Sequence, residues 1–258
     1  MGEITSYIDV AQVALYLFWA FFASLVIYLQ RESKREGFPQ EEDGLLPNAV
    51  DRESVGFPPM PASKEYHLED GTIVTTPAQT GDQRELALSP LHAWPGTPFE
   101  PTGNPMVDGV GPASWAERDD VPDMTHEGRP KVMPMRNAET FEIAKGDPDP
   151  RGMAVLGADD VSAGEVADLW VDTEEVLIRY LEVELSGSDR KVLLPMTFSR
   201  VDPKAKQILV SSITSEQFAD VPTSANPEIV TRLEEDKIVG YYGGGKLYAK
   251  PSRRDPLL

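Results

Sequence analysis

The sequence predicts one membrane-spanning helix followed by a mainly β domain, a small antiparallel barrel or sandwich with a short C-terminal helix. Three observations carry this. An apolar run of twenty residues, Val10–Leu29, contains no charge. Short segments of alternating apolar and polar residues crowd together after residue 135. The stretch Pro227–Gly240, with apolar Ile229, Val230, Leu233, Ile238 and Val239, reads as a short helix.

The first element is VAQVALYLFWAFFASLVIYL, interrupted only by Gln12 and Ser24. As a helix it extends about 30 Å, the thickness of the hydrocarbon core of a bilayer. A cleaved signal peptide would need basic residues before the run and a small-residue site after it. Here the first basic residue is Arg31, after the run, and no such site follows. Tyr7 and Tyr28 near the two ends suit interfacial aromatic positions, and Trp19 lies mid-span.

Orientation follows from the flanks. Residues 1–30 hold Glu3 and Asp9 but no Lys or Arg, whereas Arg31, Lys34 and Arg35 follow the run directly. Basic residues stay cytoplasmic, so residues 1–9 are expected outside, residues 10–30 across the membrane and the bulk inside. The three cations form a basic collar suited to anionic lipid headgroups. All 24 Lys and Arg and 41 of the 43 Asp and Glu follow the run, leaving that part at −17. Such a surface argues against nucleic acid as a partner. With no cysteine, disulfides, thiolate metal sites and thiol catalysis are excluded.

Residues 31–134 are expected to form an extended, Pro-rich surface segment. Seventeen of the 23 prolines lie between Pro39 and Pro150, and strings such as GFPPMPAS cannot sustain helices or central strands. Phe57, Trp94, Phe99 and Trp115 suit a segment laid against another surface.

Residues 135–250 are expected to form the β domain. Gly164–Val171 alternates, Asp172–Glu175 turns, and Val176–Leu185 alternates again. Lys191–Pro195 and Gln207–Ser212 add short strands. Gly243–Gly245 reads as a turn after the helix, and residues 251–258 as a frayed tail.

No phosphate loop, nucleophile elbow or zinc-binding pair is present, and His67, His92 and His126 stand far apart. The residues alone leave open a membrane-bound subunit of a larger complex and a membrane-tethered enzyme without a local motif. The likeness of such a barrel to one found in a ribosome-maturation protein implies a third alternative, an RNA-binding or ribosome-assembly factor, against which the charge weighs.

Several strings together resemble the H subunit of the purple-bacterial photosynthetic reaction centre, nearly end to end. They are REGFP at Arg35–Pro39, DGVGPASW at Asp108–Trp115, Trp170–Asp172 with YLEVEL at Tyr180–Leu185, and LEEDKI at Leu233–Ile238 before Gly240–Tyr241. The resemblance implies a β domain of the PRC-barrel type. It implies a non-enzymatic subunit that caps the cytoplasmic side of the L and M subunits in the inner, intracytoplasmic membrane. Those partners would carry bacteriochlorophyll, bacteriopheophytin, carotenoid, quinones and a non-haem iron, with none bound by this chain. A light-harvesting 1 antenna and a cytochrome subunit are further implied partners. The cap would shield the quinone sites and assist proton delivery to the secondary quinone.

The resemblance also implies site residues. Glu175 and Arg179 follow Trp170 and Asp172 at the family spacing, giving a proton-linked group at a hairpin turn. The family's proton-uptake pattern, an Asp followed at spacings of two by two His upstream of Lys131, here reads Thr125, Glu127 and Arg129. Asp123, His126 and Glu127 are the candidates to replace it.

Overall fold

Helix α1 spans Val10–Ser33. The computed structural model describes residues 3–5, 8–35, 57–76, 84–94 and 97–254. Tyr7, residues 36–39 of the REGFP string and residues 255–258 lie outside them. Before α1, strands β1 (Glu3–Thr5) and β2 (Ile8–Asp9) pair antiparallel. Asp9 caps the helix: its carboxylate accepts the Gln12 N–H at 2.7 Å, and the Gln12 side chain accepts the Asp9 N–H at 3.3 Å. The helix is long and apolar enough to cross a membrane, and none of its residues is buried. It runs about one turn past the apolar stretch, so Arg31 and Glu32 are helical rather than flanking.

Chain contacts divide the protein into two compact units, residues 1–84 with 90–98, and residues 85–89 with 99–258. In the first unit, β3 (Lys64–His67) and β4 (Ile73–Thr76) form an antiparallel hairpin. Short strands β5 (Leu88–Pro90) and β6 (Phe99–Pro101) come next in the chain, and β6 with Leu88 and Ser89 belongs to the second unit.

The second unit begins well before residue 135, where the sequence placed the domain boundary. Helix α2 (Pro105–Asp108) and a 3-10 turn, Gly111–Ala113, belong to it. So does β7 (Val132–Pro134), which pairs with β9. Its sheet contains β8 (Ala154–Leu156), β9 (Ser162–Asp172), β10 (Leu177–Leu185), β11 (Lys191–Pro195), β12 (Ser199–Asp202) and β13 (Gln207–Val210). The order is β11-β10-β9-β8-β13-β12. All neighbours are antiparallel except β8 and β13, which run parallel. The two edge strands, β11 and β12, are joined by a single 3-10 turn at Met196–Phe198, so the chain itself bridges the ends of the sheet.

Alternation in β10 is less regular than its sequence suggests. Register shifts occur between Ile178 and Tyr180 and between Glu182 and Val183. Tyr180, Leu181, Glu182 and Val183 are consequently all buried. The core is one cluster with Trp170, Leu169, Leu181, Leu194, Ile208 and Phe218 at its centre.

Helix α3 spans Arg232–Tyr248, two turns further than the apolar pattern indicated. A capping box starts it: Thr231 Oγ1 accepts the Glu234 N–H at 3.2 Å and Glu234 Oε2 accepts the Thr231 N–H at 2.8 Å. Gly243–Gly245, read from the sequence as a turn, lies inside this helix. The reason is close approach. A Cβ on Gly244 would stand 2.4 Å from the Ala113 Cβ, and one on Gly245 2.4 Å from Ile213 Cγ2. Contact with the early segment thus outweighs the poor helix propensity of glycine, about 1 kcal/mol each. The segment Pro251–Arg253 is a 3-10 turn rather than a frayed tail.

A partly buried ionic network ties Arg136, just before the barrel, to the sheet. Its guanidinium reaches Asp168 Oδ2 and Glu182 Oε2, each at 2.9 Å, and Glu228 Oε1 at 3.0 Å. Glu182 also accepts the Trp170 indole N–H and a Lys191 N–H, both at 2.9 Å. Burial pushes the Glu182 pKa up, but the bonds from Trp170, Lys191 and Arg136 outweigh it and hold the carboxylate below its ordinary value.

Candidate functional site

Strand β9 ends on Asp172, whose position decides the shape of the turn that follows. Its carboxylate is buried, 1% exposed. Oδ1 accepts the backbone N–H groups of Glu174 and Glu175 at 3.1 and 2.9 Å, which fixes the bend. The turn ends on Val176 with φ +54°, an unusual conformation for a β-branched residue, and Val176 is 72% exposed.

Lys131 stands beside this turn because β7 pairs with the end of β9, Val132 opposite Asp172. The Thr173 N–H and hydroxyl both donate to the Lys131 carbonyl, at 2.9 and 3.0 Å. The Lys131 ammonium then lies 3.4 Å from Asp172 Oδ2 and 3.3 Å from Glu175 Oε1. The hydrogen bond to Glu175 and the charge of Asp172 raise its pKa. Glu175 itself is half exposed.

Helix α3 supplies a third carboxylate. Tyr180 donates to Glu235 Oε1 at 2.7 Å, and Arg179 Nη2 lies 3.8 Å from the same oxygen. Burial raises the Glu235 pKa; the Tyr180 bond and Arg179 oppose the rise, and the charges of Asp123 and Asp172 add to it.

The sequence candidates therefore separate. Asp172, Glu175, Arg179 and Asp123 come together, joined by Lys131, Tyr180 and Glu235. Asp123 is placed by its carbonyl, which accepts the Lys131 N–H at 2.8 Å. His126 and Glu127 sit on the exposed tip of the same loop, closed by the Thr125 N–H on the Arg129 carbonyl at 2.7 Å. Arg129 lies 4.0 Å from Glu127, and no hydrogen bond among the described residues links His126 or Glu127 to the cluster. Glu235 was invisible in the sequence because it is one of 43 carboxylates. The only pointer toward it is Tyr180 inside a buried strand, since a buried phenol needs a partner.

Exposed apolar side chains surround the cluster: Val176 and Leu177 on the turn, and Val121 and Met124 on the neighbouring loop. Among the described residues no group of three or more His, Asp or Glu side chains is arranged to hold a metal ion.

The collar residues occupy the end of α1 in the first unit. Arg31 is exposed. Lys34 is buried and donates to the Pro58 carbonyl. Arg35 pairs with Glu32 at 2.8 Å and donates to the Ala62 carbonyl, while Lys64 reaches the same Glu32 at 2.7 Å. These contacts fasten the β3–β4 hairpin to the helix end.

Comparison with known families gives two matches. Residues 2–137 match the photosynthetic reaction centre H-chain N-terminal region. The chain belongs to the reaction-centre H-chain family. Residues 142–217 match the PRC-barrel domain, and those residues hold strands β8 to β13. A reaction-centre H chain is a subunit of a photosynthetic complex, generally an accessory rather than an enzyme. The match supports the reading of this chain as a subunit of a larger complex. The apolar helix α1 is consistent with membrane association of such a subunit.

Proposed function

We propose that this H chain caps the cytoplasmic face of the L and M subunits of a reaction centre, shields their quinone sites and assists proton delivery to the secondary quinone. In this reading the partners hold the pigments, quinones and iron, and this chain binds none. Arg31 meets anionic headgroups at the cytoplasmic surface of the inner membrane, while residues 1–9 lie on the periplasmic side.

The observation that carries the reading is the carboxylate cluster framed by exposed apolar side chains. Val176, Leu177, Val121 and Met124 at the mouth of a charged site suit burial against a partner. Within that frame, Asp172, Glu175, Glu235 and Asp123 offer titratable groups spaced by Lys131, Arg179 and Tyr180. A doubly reduced quinone in a low-dielectric site needs two protons. Burial, with the charges of Asp123 and Asp172, raises the Glu235 pKa, so that this carboxyl holds a proton closer to ambient pH than a free one. Transfer needs such groups within hydrogen-bond reach of one another or of water. Glu175, half exposed at the turn, hands protons outward; Lys131 and Arg179 keep the cluster from becoming so proton-avid that it fails to release them.

The test is flash-induced electron transfer in the intact complex carrying Glu175→Gln, from about pH 6 to about pH 9. The second electron transfer to the secondary quinone slows by about tenfold or more, and the first is unchanged. Wild-type rates over the whole range would remove Glu175 from the path. Equal slowing of both transfers would point to a distorted quinone site instead.

A further inference from the structure

The second unit is strongly acidic, yet one end of its barrel collects cations that no carboxylate among the described residues pairs. Arg200 lies on β12, Lys246 on the last turn of α3, and Lys250, Arg253 and Arg254 just beyond it. None of the five forms an ion pair with a described residue. Other groups hold them. The Arg253 guanidinium donates to the carbonyls of Ser211, Ser212 and Gly245, at 2.8, 2.7 and 2.6 Å. Lys246 lies over the Phe198 ring at 5.1 Å and Arg254 over Tyr248 at 5.5 Å. Lys250 donates to the Ala158 carbonyl.

Three of these cations, Arg200, Lys246 and Arg253, line one cavity of about 490 Å³. Its other walls include Phe198, Leu209 and the hydroxyl residue Ser199; Asp160 is the single acidic residue on the lining. The end of a helix attracts cations in any protein, and that accounts for Arg253 on the Gly245 carbonyl and in part for Lys246. It does not account for Arg200, which arrives from a different strand. Nor does it explain three positive charges turned to one concavity in a chain of net charge −19. At physiological ionic strength charges more than about 8 Å away are largely screened, so this local excess governs what binds there.

We propose that this cavity binds a small phosphorylated organic anion. The Arg200 guanidinium and the Lys246 ammonium are suited to phosphoryl oxygens, while the Arg253 guanidinium, held on three carbonyls, adds its charge. Phe198 and Leu209 offer an apolar wall to the organic part, and the volume lies within the range of small-ligand sites. The source of the phosphate, a soluble metabolite or a phospholipid headgroup, shares this chemistry. The site lies within the second unit and is independent of the carboxylate cluster.

The experiment is calorimetric titration of the purified full chain in a non-ionic detergent at low ionic strength, with inorganic pyrophosphate and ADP as probes. The comparison is the double variant Arg200→Gln, Lys246→Gln. Arg253 is left in place because its carbonyl bonds hold the end of α3. The wild type binds one probe per chain saturably, and the double variant binds about tenfold more weakly or worse, with unchanged circular dichroism and thermal midpoint. Competition by a short-chain soluble phosphatidylglycerol supports the site with a lipid source; its failure to compete while ADP binds supports a soluble one. No saturable binding, equal binding in the double variant, or binding of polyglutamate in place of either phosphate probe overturns the proposal. Should the double variant unfold, Arg200→Gln alone, on the surface of β12, repeats the test.

Discussion

The Tyr180 hydroxyl donates to Glu235 at 2.7 Å, joining the middle of strand β10 to the first turn of helix α3. That bond brings a half-hidden carboxylate to the back of the Asp172–Lys131–Glu175 turn. Burial raises the Glu235 pKa above its ordinary value of 4.5, so the folded chain holds this proton more tightly than the unfolded one. Its contribution to stability is therefore full below about pH 4.5 and fades as the pH rises through the higher folded value. Glu235→Gln keeps an acceptor for Tyr180 and removes the charge. The unfolding free energy of the variant, measured in urea at successive pH values, should fall less than that of wild type between about pH 4.5 and about pH 7. Parallel curves would mean that Glu235 does not titrate in that window.

Glu182 has the opposite sign. Its pKa is held below the ordinary value, so its stabilisation is present above the unfolded pKa and is lost as the pH falls through the folded one. Glu182→Gln leaves Arg136, Lys191 and the Trp170 N–H short of an anionic acceptor. A fully buried network would lose more, but Arg136 and Lys191 are partly exposed, so the expected loss is about 2 kcal/mol at neutral pH. Denaturant unfolding at neutral and acid pH checks it: the gap between variant and wild type should shrink on acidification.

Adjacent glycines in α3 should respond differently to alanine. At Gly244 the added methyl group meets the Ala113 Cβ and Cα at 2.4 and 3.0 Å, whereas at Gly243 the nearest atom is the Pro112 carbonyl oxygen at 3.2 Å. Alanine improves helix propensity by about 1 kcal/mol in both places. At Gly244 overpacking costs about 1–3 kcal/mol, so Gly244→Ala should lower the thermal midpoint while Gly243→Ala leaves it level or raises it. Equal effects would show that α3 shifts freely on the 3-10 turn beneath it.

The collar divides into two experiments. Arg31 is exposed at the end of α1, and Arg31→Gln should reduce retention of anionic lipid, a charge there being worth about 1 kcal/mol. Arg35→Gln should instead loosen the hairpin, because Arg35 bonds Glu32 and the Ala62 carbonyl. Hydrogen exchange at Tyr66 and Val74, paired across β3 and β4, reads that loosening. Faster exchange in Arg31→Gln, or none in Arg35→Gln, would overturn the division of labour.

Legibility in the sequence follows the range of the interactions involved. The long apolar helix declares itself through composition alone, and β9 and β10 through alternation, because both signals are local. Gly243–Gly245 was misread because the advantage of glycine there comes from Ala113 and Ile213, far away along the chain. Asp172, Glu175 and Arg179 were found by family spacing around one turn. Glu235 and the Arg136 network were not, since burial turns an ordinary charged residue into a special one and leaves no mark on its neighbours in sequence. The parallel pairing of β8 with β13 was equally hidden, because the register of distant strands is a tertiary property.

The glycine face of α3 also sets a timetable. The Ala116 N–H donates to the Asp236 carboxylate at 3.1 Å, and the two residues are 120 positions apart. At ordinary rates of translation the earlier residue waits on the order of 10 s for its partner to leave the ribosome. Throughout that interval Val110 and Ala113, buried in the finished protein, have no helix to cover them. The first segment of this domain to be made is thus among the last to be sheltered, and a chain stalled before Arg232 exposes a surface that quality-control proteases and chaperones can recognise.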